Sequence, residues 1–150
     1  MQLTYETGTA TLIQFIVLGL LNIGDALDSI ITTCNHPGGD CVGNLLSSLI
    51  FYILITVWFG IILALGFGAQ ERRSKRLSQA LILAELAVFA VASYNINLNV
   101  NYHNGVLSLV TSCIDVIFSI WIISLAYRLM KASGGRVVKQ RNRRKTSSKK

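Results

Sequence analysis

The sequence predicts an all-α polytopic membrane protein, a bundle of four transmembrane helices with both termini cytoplasmic. Three observations carry that expectation. The 150 residues are 52% hydrophobic and only 14% charged, where a soluble domain carries about 25% charged residues. Four apolar stretches approach or exceed the roughly 20 residues that a bilayer core requires. All 14 Lys and Arg fall in places that a four-span chain brings to one face. Too few charges remain to cover a water-facing surface, and the chain is too apolar for disorder.

The spans are expected near 11–31, 45–68, 80–94 and 106–127. With their connections they use residues 1–130 as one membrane domain and leave no room for a soluble one. The first span does not read as a removable signal peptide. It has no basic region before it, it carries Asp25 and Asp28, and it is too long for a cleaved apolar core.

Orientation follows from the basic residues. Arg72, Arg73, Lys75 and Arg76 lie between spans two and three, and the other ten run from Arg128 to Lys150. The positive-inside rule makes the face they share cytoplasmic. The stretches 34–43 and 95–105 contain no Lys or Arg and are expected outside.

Span two holds Thr56, Gly60, Ala64 and Gly68 at four-residue spacing. Small residues in that pattern let helix backbones approach closely, within the chain or between copies of it. Ala80, Ala84, Ala87 and Val91 form a similar ridge in span three.

Four of the seven acids lie within spans: Asp25, Asp28, Glu85 and Asp115. No Lys, Arg or His accompanies them there. A charged side chain at mid-bilayer costs about 2.5–3.5 kcal/mol on the insertion scale, so such residues face the bundle interior. Helical spacing agrees. Gln14, Asn22, Asp25 and Asp28 share one stripe of span one, and Ser108, Thr111, Ser112, Asp115 and Ser119 share one of span four. Asn22, Asp25, Asp28, Glu85 and Asp115 are therefore the candidate proton or cation site. The competing reading is that these groups bond helices together.

The first outer connection runs from Cys34 to Cys41 through Pro37-Gly38-Gly39, a strong turn signal. On an oxidising face Cys34 and Cys41 are expected to form a disulfide. A metal site from Cys34, His36, Asp40, Cys41 and His103 is the alternative, but its spacing fits no zinc pattern; no metal or cofactor is expected. Cys113, inside span four, reads as a small core residue. Residues Tyr94–Tyr102 alternate polar and apolar without a break. That is the period of a strand, with a frayed helix end as the alternative.

Gly134-Gly135 is expected to end the last helix, leaving 131–150 as a disordered basic tail with nine Lys or Arg and no acid. Arg141, Arg143, Arg144 and Lys145, with the 72–76 cluster, are expected to contact anionic lipid head groups, at about 1 kcal/mol per basic residue. No RNA-binding motif accompanies them, so no specific nucleic acid is expected.

The sequence has no phosphate-binding glycine loop, no metalloprotease motif and no nucleophile elbow, and an enzyme is not expected. In topology the chain resembles MARVEL-type and other tetraspan proteins, which keep both termini in the cytoplasm; the resemblance is of architecture and carries no residue motif. The first expectation for function is a non-enzymatic membrane protein that binds partners or organises the bilayer, as a homo-oligomer or with another membrane protein. The second is an oligomeric transporter or channel that uses the intramembrane carboxylates. A bacterial inner membrane is the expected location.

Overall fold

The computed structural model describes residues 6–35, 41–102 and 106–147, with the side chains of 33, 44, 102 and 134–147 left out. Four helices account for almost all of them: α1 (Glu6–Asn35), α2 (Cys41–Arg72), α3 (Lys75–Tyr102) and α4 (Val106–Ser147). Each contains a segment of at least 27 residues that is long and apolar enough to cross a membrane. At 1.5 Å per residue such a segment is about 40 Å long, more than the roughly 30 Å hydrocarbon core.

Each helix packs on its chain neighbours, and α4 closes the ring on α1. The order is up-down-up-down, so Glu6, Arg72 and Lys75 lie at one end of the bundle, the terminal end. Cys34, Cys41, Asn101 and Val106 lie at the other, the loop end. Cys34 and Cys41 are joined by a disulfide, with Cα atoms 4.7 Å apart. At the terminal end only Arg73 and Ser74 separate α2 from α3. Arg73 has φ 45°, a left-handed residue of the kind that ends a helix. Ser74 caps α3, its hydroxyl 3.5 Å from the Leu77 amide.

The apolar core takes one fully buried large residue from each helix: Leu18, Ile62, Leu81 and Ile122. Around it, large apolar side chains such as Leu20, Leu54, Leu83 and Ile117 point outward on all four helices. An outer surface this apolar suits acyl chains rather than water.

Helices α1 and α2 pack tightly through glycines outside the expected ridge. A Cβ on Gly66 would strike the side chain of Thr11, coming within 2.7 Å of its Cγ2. A Cβ on Gly8 would come within 2.6 Å of Gln70 Oε1. That oxygen accepts the Gly8 amide at 2.8 Å, satisfying a donor that has no partner within its own helix. By contrast, no atom lies within 4 Å of a Cβ placed on Gly60, and Ala64 is exposed. Of the ridge glycines only Gly68 meets a neighbour, Leu77 Cδ1 at 3.4 Å. Thr56 bonds to its own helix, at the Tyr52 carbonyl.

Two further expectations are corrected, and of the two readings of Tyr94–Tyr102 the helical one holds. The helix does not stop at Gly134-Gly135; α4 runs through both to Ser147. Each glycine costs about 1 kcal/mol against Ala in a helix but keeps its amide, and no proline follows to force an end. Tyr94–Tyr102 is helical, as the last turns of α3, and not extended. Its asparagines bond at helical spacing: Asn99 Nδ2 donates to the Asn95 carbonyl at 2.9 Å and Asn101 Nδ2 to Asn97 Oδ1 at 3.0 Å. Cys113 is exposed on the outside of the bundle, because the polar residues of α4 take the inward face.

Candidate functional site

The fully buried side chains include an unusual share of polar ones. Thr7, Thr11, Gln14, Ser78, Glu85 and Ser119 are all at most 1% exposed. They come from α1 and α4, whose sequences carry the polar stripes, and from α3, where Ser78 and Glu85 lie on one side with Ser93. The stripes therefore turn toward one another inside the bundle.

Glu85 is the centre of this set. Gln14 Nε2 donates to its Oε2 at 3.2 Å. Ser119 lies beside the same carboxyl, although its Oγ makes no well-formed hydrogen bond. The other carboxyl oxygen, Oε1, is buried without a partner. Asp115, one turn before Ser119 on α4, is near enough to Glu85 for their charges to interact. Its Oδ1 is also buried and unpartnered. The sequence places no Lys, Arg or His within 6–35, 41–71, 77–102 or 106–127. The acids thus have no cationic neighbour inside the bundle.

Asp115 lies at a cavity of about 330 Å³ in the half of the bundle nearer the loop end. The two sides of the cavity differ. From α1 and α4 come Asn22, Asp25, Ser108, Thr111, Ser112 and Asp115. From α2 and most of α3 come aromatic and aliphatic groups, among them Phe51, Ile55, Trp58, Phe59 and Val88, with Asn95 the polar exception. Phe51, Trp58 and Val91 line the cavity and are also 42–61% exposed on the outside. The cavity therefore reaches the side of the bundle between α2 and α3.

Toward the terminal end the Gln14–Glu85 bond and the Leu18, Ile62, Leu81 and Ile122 core lie below the cavity. Beyond that core the polar residues resume at Thr11, Thr7 and Ser78. Thr11 is held by its own helix, its hydroxyl donating to the carbonyls of Gly8 at 2.9 Å and Thr7 at 3.2 Å. Asn99 Nδ2 donates to Ser108 Oγ at 3.2 Å and ties α3 to α4 near the loop end.

Of the five candidate site residues, three line the cavity: Asn22, Asp25 and Asp115. Glu85 adjoins it through Asp115. Asp28 does not, because it is exposed on the side of α1, one turn from Asp25. Sequence reasoning placed Gln14 and Ser119 on the right stripes without giving them a role. It missed Phe51, Trp58 and Phe59, whose seven- and eight-residue spacing on one helix face was the available signal. The segments 36–40 and 103–105, with the alternative metal ligands His36, Asp40 and His103, lie outside the described residues. So do the side chains of Arg141, Arg143, Arg144 and Lys145.

No family model matches the chain, and no characterised protein or solved structure matches it at a significant level.

Proposed function

We infer that the protein is a proton- or cation-linked transporter of a plasma membrane, with both termini cytoplasmic and the cavity in the half of the bundle nearer the opposite face. The observation that carries this reading is Glu85: wholly buried, half-partnered by Gln14, and beside a second acid, with no cationic side chain in reach. A carboxylate in a low-dielectric interior needs a counter-charge or a proton. With no basic group in the spans, either must come from outside the chain. A purely structural role is met more simply by neutral side chains of the same shape.

The cavity removes one difficulty of this reading. Four helices leave little room for a pathway, which favoured an oligomer on sequence grounds. A site of about 330 Å³ formed by all four helices needs no second copy. The closed core at the terminal end means that transport requires those side chains to part, exposing the acids to one face at a time.

The test is flux into liposomes bearing the purified protein, under an imposed pH gradient and a panel of cations. The expected result is flux above empty liposomes, lost in Glu85→Gln or Asp115→Asn. Folded protein without flux would leave the acids as helix-to-helix bonds and overturn the reading.

A second reading, partner binding within the bilayer, is favoured by the small-residue ridge at Gly60 and Ala64, which no helix of the chain covers. Energy transfer between labelled copies in lipid tests it. Self-association lost in Gly60→Leu would support it, and association unchanged by that substitution would remove its basis.

A further inference from the structure

We propose that the cavity is a binding site for an organic cation: an amine or quaternary ammonium group on an apolar, ring-sized body. The proposal rests on the carboxylate site described above and names its ligand. Its basis is the division of the cavity into two chemically opposite sides. Asp25 and Asp115 supply negative charge on one, where Asn22 adds a neutral polar group. Phe51, Trp58 and Phe59 supply aromatic surface on the other. Aromatic faces attract cations and stack on rings.

Other ligand classes fit less well. An anion meets two acids and no basic group. A small inorganic cation sheds its water only where oxygen ligands surround it, and the α2 side offers hydrocarbon. Among the described residues no three His, Cys, Asp or Glu side chains converge as metal ligands. A neutral apolar molecule would leave the buried Asp115 Oδ1 unpartnered. An organic cation places its charged head at Asp115 and Asp25 and its body against the rings. The position of the opening agrees. Phe51 and Trp58 are exposed on the side of the bundle, so a ligand dissolved in the bilayer reaches the cavity between α2 and α3.

The probe is benzyltrimethylammonium, with neopentylbenzene as its neutral isostere. The full-length protein in lipid nanodiscs carries Trp121→Phe, leaving Trp58 as the only tryptophan. Its emission reports binding for the unaltered site and the acid variants; calorimetry repeats the measurement on the unaltered chain and reads the Trp58 variants, which lack that emission. The expected result is saturable binding, weakened at least tenfold by Asp115→Asn, severalfold by Asp25→Asn, and severalfold by Trp58→Leu but little by Trp58→Phe. The neutral isostere should fail to compete at equal concentration. Asp25 is only half buried, so its variant keeps the test open if Asp115→Asn does not fold. No saturable binding, binding indifferent to both acid substitutions, or equal competition by the isostere would overturn the proposal. So would a phospholipid that stays bound through purification and excludes the probe. The transport reading fails separately: binding without flux of any cation overturns transport and supports the site, while inorganic cation flux without probe binding overturns only the ligand class.

Discussion

Gln14 Nε2 donates to Glu85 Oε2 across 3.2 Å, a hydrogen bond between two wholly buried side chains on helices that lie diagonally across the bundle. It ties α1 to α3 through their side chains. It also lies just below the cavity, so it affects both stability and the proposed route.

Replacing Gln14 with Leu removes the donor and leaves Glu85 buried without one. Hydrogen bonds between transmembrane helices average about 0.6 kcal/mol and reach about 1.7 kcal/mol, and an unpartnered buried group adds about 1–3 kcal/mol. Gln14→Leu should therefore destabilise by about 1.5–3.5 kcal/mol. Glu85→Gln should cost less than about 0.5 kcal/mol, because the amide oxygen still accepts from Gln14. The double variant Gln14→Leu/Glu85→Leu should recover most of the loss. Denaturant unfolding in detergent measures all three; with the single Glu85→Leu added to close the double-mutant cycle, simple additivity would show that the bond contributes nothing.

Gly66 and Gly60 should behave in opposite ways, although both are glycines of α2. A methyl group on Gly66 collides with Thr11, and one on Gly60 meets open space. Gly66→Ala is expected to cost about 1–3 kcal/mol through overpacking, partly relieved by Thr11→Ala. Gly60→Ala is expected to stay within about 0.5 kcal/mol or to stabilise slightly, as alanine is the better helix former. Thermal unfolding of the solubilised variants checks the pair.

The contrast between these glycines shows how far the sequence could be read. Span number, polar stripes and the Cys34–Cys41 pair were legible because each depends on local composition or periodicity. Which face of α2 packs was not, because its hydrophobicity is nearly uniform around the helix and small residues occur on more than one side. Gly66 resembles Gly60 until Thr11 is known to sit opposite. The same limit applied to Tyr94–Tyr102. Alternation suggested a strand, but a backbone in an apolar setting must satisfy its own hydrogen bonds, and α3 does so by continuing. Asp25 and Asp28 looked equivalent on one stripe, yet one turn of helix carries Asp28 out of the cavity.

The disulfide makes a countable prediction. The chain has three cysteines; Cys34 and Cys41 are paired and Cys113 is free. Protein denatured without reductant should titrate one thiol per chain, and three after reduction. The single reactive thiol should disappear in Cys113→Ser. Three thiols before reduction would show the pair open. Closing so short a connection should contribute about 2–3 kcal/mol, lost in Cys34→Ser or Cys41→Ser and read as a fall in unfolding midpoint.

Arg73 offers a stabilising change that leaves the cavity alone. Its φ of 45° is a left-handed conformation that costs a side-chain-bearing residue about 1–2 kcal/mol, and glycine adopts it freely. Glycine also loses more freedom on folding, which offsets part of the gain. Arg73→Gly should therefore raise stability by about 0.5–1 kcal/mol. Arg73→Val, branched at Cβ, should lower it, because branching makes this conformation still harder to adopt. The substitution removes one of four basic residues in the connection. Arg72, Lys75 and Arg76 remain, so the orientation inferred from the positive-inside rule should not change. Unfolding in detergent reads the stability, and labelling of single cysteines from either side of the membrane reads the orientation. A destabilised Arg73→Gly would mean that the guanidinium makes an interaction worth more than the backbone strain it imposes.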